Sequence, residues 1–199
     1  MLNMKCSTCP NESAVSLKYL QPLCRNCFCD VIEKRIRKHT RIGKAFRKGD
    51  RILIVDNLAK FIVKGIIRDL PAKVYYRQFS IGEIRKPNKE LIAFISKNKI
   101  NKIVIPWTAD DDACSFMNSV FNNDNKAESE FPARISKKIV KLFSGITNKE
   151  AELYAKFNNH AFNPNTFYPD VRKFLDSLEE LYPDTKFGIV KSREIYFRK

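Results

Sequence analysis

The chain has 199 residues, of which 44% are hydrophobic, and a formal net charge of +15 with a pI near 9.6. That apolar content can build a core and excludes wholesale disorder. No run approaches the roughly 18 apolar residues that span a bilayer, so no membrane partner is expected.

The opening stretch MLNMKCSTCP lacks an apolar leader, so a cytoplasmic chain with reduced cysteines is expected. Residues 1–30 hold five of the six cysteines and little else that could form a core. A bound metal would have to organise such a segment. Residues 31–48 read as a basic helix, with Val31, Ile32, Ile36 and Ile42 as its buried stripe and a stop at Gly49-Asp50. Strand and helix signals then alternate. Strands are predicted at 51–55, 72–80 and 102–106, and helices at 57–69, 88–98 and 109–122. This order predicts an α/β fold, a parallel βαβ sheet with helices on both faces. Residues 123–130 read as a polar surface loop. Helices are predicted around 148–158 and 170–181, separated by a Pro/Asn-rich loop. The last dozen residues read as a short strand or an extended tail. The organisation expected is a zinc-binding module at 1–32, a basic linking helix at 33–50 and an α/β domain at 51–199.

Cys6-x-x-Cys9 and Cys24-x-x-Cys27 are separated by fourteen residues. Each pair lets a tight turn place two thiolates on one ion, and the intervening loop brings the pairs together. Four sulfurs at about 2.3 Å suit tetrahedral Zn²⁺ and leave no open position, so a structural site is expected. A cubane iron–sulfur cluster takes the same ligand type, but two knuckle-like pairs favour zinc. With such a site the net charge is about +13, which favours a polyanion such as nucleic acid. A lysine-rich proteome would give the same excess. Cys29 reads as a spare cysteine. Cys114, alone on a helix, reads as a small buried hydrophobe rather than a nucleophile.

The cysteine pairs, the basic helix and Gly49-Asp50-Arg51 leading into an apolar strand together resemble the cytosolic tRNA 2-thiolation enzymes. These belong to the PP-loop (N-type ATP pyrophosphatase) group. Asp110-Asp111-Asp112-Ala113 with Met117-Asn118 is similar to a family helix that carries paired acids. Phe131-Pro132-Ala133-Arg134 and Glu150 to Ala155 resemble its later segments. The resemblance implies a Rossmann-like PP-loop sheet behind a zinc knuckle.

Two departures from that pattern shape the expected function. The family's glycine-rich phosphate loop follows the first strand, where bare backbone N–H groups at a helix N-terminus hold anions. Here that stretch is Asp56-Asn57-Leu58-Ala59-Lys60-Phe61. Its glycines are gone, an acid sits where phosphate oxygens would, Leu58 adds bulk, and Phe61 replaces a hydroxyl. ATP binding is therefore not expected. The family's later cysteines, which hold a cluster or relay sulfur, have no counterpart in 80–90 or 162–166. No iron–sulfur cluster is expected. With no Mg·ATP to serve, Asp111 and Asp112 read as an acidic helix start.

The resemblance then implies the non-catalytic subunit of a tRNA 2-thiolation complex, a pseudoenzyme paired with a catalytic PP-loop homologue. The tRNA would be held through Arg35, Lys38, Arg41, Lys44, Arg47 and Lys48. An ordinary solvated helix face is the alternative for those cations. Tyr75, Tyr76 and Phe79 in the second strand could stack on bases, but core packing is the better reading. Two other functions stay open: an active ATP-dependent thiolation enzyme with an atypical loop, and a zinc-containing DNA-binding protein.

Overall fold

A parallel strand buried on both faces must be apolar at consecutive positions. Two segments meet that demand at the centre of the protein. The computed structural model describes residues 4–122 and 130–196. Among them, four parallel strands form one sheet: β3 (Arg51–Ile54), β4 (Lys73–Tyr76), β5 (Lys102–Thr108) and β6 (Ile139–Phe143), in the order β4-β3-β5-β6. Ile52, Leu53 and Ile54 of β3 and Ile103, Val104 and Ile105 of β5 are buried. The register sets Leu53 against Ile103 and Ile54 against Val104.

Helices α2 (Asn57–Ile66), α5 (Ala109–Phe121) and α7 (Asn148–Phe157) each start at the carboxyl end of a strand. Helices α3 (Ile81–Arg85), α4 (Lys89–Lys97) and α6 (Ala133–Ser136) complete the connections, and α8 (Pro169–Leu181) and α9 (Thr185–Tyr196) close the chain. The parallel α/β sheet expected from the alternation is present. β6 gives little strand signal in the sequence, because Lys137 and Lys138 precede its four apolar residues and Lys141 divides them. The C-terminal segment is helix α9, not a strand or a tail. Its Ile189 and Val190 pack around Cys114 of α5 and Leu175 of α8, a tertiary contact that outweighs local preference. The polar loop read at 123–130 lies outside the described residues except for Glu130.

The N-terminal segment is a short antiparallel hairpin, β1 (Val15–Leu17) with β2 (Leu20–Leu23), feeding helix α1 (Arg25–Ile42). α1 begins six residues before the helix read from the sequence and ends six before its expected stop. Its buried stripe is Phe28, Ile32, Ile36 and Thr40, at intervals of four. The expected Ile42 is exposed and Val31 is only half-buried. The helix stops where Lys44 adopts a left-handed φ of 46°, which cannot continue a right-handed helix. Gly49 takes φ 81° and donates its N–H to Pro71 O at 2.8 Å. A Cβ would be strained there. Phe28, Ile32 and Ile36 share one core with Ile52, Ile54, Leu142 and Tyr154, so the cysteine-bearing segment and the sheet are packed together. Among the described residues no helix is long and apolar enough to cross a membrane.

Candidate metal centre and the crevice at the carboxyl ends of the strands

Two backbone features bring the cysteine pairs together. Cys6 N–H donates to Asn11 O at 2.9 Å, closing the turn that carries Cys6 and Cys9, and Ser7 N–H donates to Pro22 O at 2.9 Å, tying that turn to β2. Cys24 is the N-cap of α1 and Cys27 lies in its first turn, where unpaired N–H groups and the helix dipole favour thiolate. The four Sγ atoms lie within 4.8 Å of one another, and Cys9 Sγ is 3.6 Å from Cys24 Sγ. A tetrahedron with Zn–S bonds of 2.3 Å has sulfur–sulfur edges of about 3.8 Å, so the donor set fits a single metal ion.

Crowding splits the thiols into two pairs. Cys6, hydrogen-bonded to Thr8 Oγ1 at 3.3 Å, is pulled down to about 5. Cys9 is pushed up to about 12: the Asn11 backbone favours its thiolate, but burial and the three neighbouring cysteines outweigh it. Cys24 is lowered, chiefly by the Cys27 backbone. Cys27 is raised: the Thr8 hydroxyl and Cys9 favour its thiolate, but Cys24, burial and Cys6 together outweigh them. A bound cation removes the repulsion that keeps half of the set protonated. Cys29 stands outside the cluster, accepting from Asn158 Nδ2 at 3.6 Å. Cys114 is buried among Leu175 and its neighbours, and burial pushes its thiol up to about 11.

In open α/β sheets ligands bind outside the carboxyl ends of the strands, where the strand order reverses. Here that point lies between β3 and β5. The three helices that begin along this edge are all capped by the chain itself. At α2 the Asp56 carboxylate accepts from Ala59 N–H at 2.8 Å. At α5 and α7 there are capping boxes, Thr108 with Asp111 and Thr147 with Glu150. Burial raises Asp56 above the usual carboxylate range, although the N–H groups of Ala59, Leu58 and Asn57 favour its charged form. An anion of the chain thus sits where a loop of this kind would offer N–H groups to phosphate. The loop differs from expectation in one respect. Leu58 and Ala59 are fully buried beneath the helix, so Leu58 does not crowd the crevice. The exposed positions are Asn57, Lys60 and Phe61. Tyr76 Oη donates to Asn57 Oδ1 at 2.8 Å, Lys60 Nζ lies 4.4 Å from the Tyr76 ring centroid, and Phe61 packs on His160. Tyr75 meets Phe94 edge-on in the core.

The acidic start of α5 does more than its sequence suggests. Asp110, Asp111 and Asp112 are all buried, and each is ion-paired. Lys186 Nζ reaches Asp110 at 2.6 Å, Arg172 reaches Asp111 at 2.9 Å, and Lys141 and Arg193 reach Asp112 at 2.6 and 2.9 Å. Trp107 Nε1 also donates to Asp112 at 3.1 Å. Burial raises Asp111 despite the Thr108 N–H, Asn165 and Arg172. At Asp112 burial acts in the same direction but loses to Lys141 and Arg193, so its carboxyl stays below the ordinary range. The cations on α8 and α9 lie more than fifty residues away and have no local signal in the sequence.

The six basic residues do not form one set. Arg35 pairs with the fully buried Glu150 at 2.7 Å, holding α1 to α7. Lys38, Arg41, Lys44, Arg47 and Lys48 are exposed, and the last three lie beyond the helix end. Arg37, not singled out from the sequence, joins Arg41, Lys44 and Arg47 along a groove of about 500 Å³. Arg35→Ala is therefore expected to destabilise the fold by about 2–3 kcal/mol, because it strands the Glu150 carboxylate; partial exposure of Arg35 tempers the cost. Thermal unfolding of the variant checks this. The deficit should narrow with Glu150→Gln added, since no buried charge is then unpaired.

No protein-family model matches the chain, and no curated protein matches it in sequence. Among solved structures it is similar to the U34-tRNA thiolase NcsA from Methanococcus maripaludis with its [4Fe-4S] cluster. The TM-score is 0.73 at 17% identity, over 100% of this chain and 87% of that one. At that identity the likeness establishes the fold alone, an α/β architecture on a parallel four-stranded sheet; the four-cysteine cluster able to bind metal is this chain's own feature. The likeness also corrects the cofactor expectation. Zinc with iron–sulfur excluded does not stand, because the neighbour carries a [4Fe-4S] cluster and the four thiolates of Cys6, Cys9, Cys24 and Cys27 are a set that could hold one. The exclusion rested on the cysteine-free downstream segments and on preferring zinc for the two knuckle-like pairs, although four thiolates suit either group.

Proposed function

We propose that this chain is a non-catalytic, tRNA-binding subunit of a cytoplasmic machinery that 2-thiolates the wobble uridine, paired with a catalytic PP-loop homologue. The Asp56 cap carries the reading: the helix end that would receive phosphate in a PP-loop fold is filled by the chain's own carboxylate. The fold of a U34-tRNA thiolase, the exposed cations around the end of α1 and the net charge of +15 support RNA as the partner. Reduced thiols of the metal site suit the cytoplasm.

Purification of the tagged chain from its native host tests this. The expected result is co-recovery of a second PP-loop protein with an intact glycine-rich loop, together with tRNA. Recovery of the chain alone, thiolating tRNA in the presence of ATP, would overturn it.

One observation favours a second reading. Cys6, Cys9, Cys24 and Cys27 could hold a cluster such as the neighbour carries, which would suit an active thiolase. A cluster would supply an iron site for sulfur, and the chain's own part would be to hold it at the start of α1. Thiolation turnover by the purified chain, lost on Cys24→Ser, is the result that this reading requires.

A further inference from the structure

The last turns of α1 have a second flank. Opposite the groove lined by Arg41 and Lys44, a larger groove of about 660 Å³ runs beside β6, bounded by His39 and Gly43 of the α1 end and by Val190 and Arg193 of α9. Its walls carry Lys102 at the start of β5, Lys137 just before β6, and Lys141 within β6. Lys141 and Arg193 share Asp112, whereas no salt bridge engages Lys102 or Lys137 among the described residues. With Asp112 as the acid in the lining, its four Lys and Arg side chains leave the groove three positive charges.

β6 is the outer strand of the sheet, so its far edge has no strand partner among the described residues. Backbone N–H groups along that edge add donors to the cations. Lysines on an edge strand also block unwanted pairing. That role would account for Lys141 and for Lys137 just ahead of the strand, but not for Lys102, which comes from the start of the interior strand β5 and lines the same groove.

We infer that this groove, between the end of α1, β6 and α9, is a binding track for the sugar–phosphate backbone of RNA, continuous over the α1 ridge with the Arg37–Arg41–Lys44–Arg47 groove. It deepens the tRNA-binding reading above and rests on it. A backbone that crosses the ridge meets cations on both flanks. Thr40, a buried residue of α1, lines both grooves, which places them on either side of the same helix turn.

The test uses the full chain, bulk tRNA and a salt series. Lys102→Ala with Lys137→Ala removes two free cations and touches no ion pair seen here. The expected result is an affinity about tenfold lower, with the slope of log K against log salt reduced by about 1–2, one phosphate contact per lysine. Lys102→Arg with Lys137→Arg should restore both. Arg41→Ala with Lys44→Ala on the other flank should give a similar loss. If the groove pair binds tRNA with unchanged affinity and slope while the Arg41/Lys44 pair weakens it, the groove assignment is wrong and the tRNA reading survives. If the unsubstituted chain binds no tRNA, both fall. Saturable binding of inorganic phosphate or ATP that depends on Lys102 and Lys137, without an effect on tRNA, would assign the groove to a small phosphorylated ligand and overturn the RNA track.

Discussion

Replacing Cys24 with serine will release the bound metal and lower the melting temperature by roughly 10 °C or more. The thiolate at the α1 N-cap is one of four, and its loss leaves three ligands and a hairpin with little core of its own. Val15, Leu23 and Phe28 are buried in the same cluster as Cys6 and Cys24, so the effect will extend into α1 rather than stop at the hairpin. Elemental analysis checks the metal. Zinc, being d¹⁰, has no visible spectrum, whereas an iron–sulfur cluster has one. Treatment of the native chain with a strong chelator should reproduce the melting shift. A variant that keeps its metal and its melting temperature would remove the metal centre from the account. Cys29→Ser is the control and should change neither, since its contact is with Asn158 outside the cluster.

The second large effect is expected at Lys186. Its ammonium is almost fully buried and binds Asp110 and Asp176 at 2.6 Å and Glu179 at 3.0 Å. Lys186→Met strands Asp110 and Glu179, both buried; Asp176 is half-exposed and contributes little. Breaking a buried pair in this way costs about 3–5 kcal/mol, or roughly 10 °C in a chain of this size. The sign with pH follows from the shifts. Burial opposes the charge on Lys186, but Asp110, Asp176 and Glu179 outweigh it and raise its pKa. The native contribution is therefore complete at neutral pH and is lost only as pH rises through that elevated value. In the variant, lowering the pH from 7 to 5 should narrow the deficit, as protons neutralise the stranded carboxylates. The opposite trend applies at Asp112, whose lowered pKa means that its contribution fades as pH falls below about 4. Melting curves across pH 3–8 for both proteins read the narrowing of the deficit and the fading of the Asp112 contribution. A constant gap between them would show that the lysine acts by packing alone.

The two large effects were not equally visible in the sequence. The cysteine site was legible because metal ligation imposes its own spacing: two thiolates per turn, two turns per ion. The central strands were legible because burial on both faces demands continuous apolar residues, as in Arg51–Val55 and Lys102–Pro106. The loop after β3 was read from chemistry in part. The Asp56 carboxylate caps α2, and with that cap Leu58, the second helical residue, falls on the core side while Asn57 stays exposed. Arg35 looked like any other cation on a basic helix until Glu150, more than a hundred residues on, was found against it.

By its order of residues alone, this protein determines where metal can be held, where parallel strands run and which helix end is closed by an acid. Each of these depends on groups near one another in the chain. The neutralisation of Asp110, Asp111 and Asp112 by Lys186, Arg172, Lys141 and Arg193, the docking of α1 on α7, and the basic grooves on either side of the α1 end were decided only by tertiary structure. Coulombic partners are chosen by distance in space, and no periodicity along the chain records which cation will reach which carboxylate.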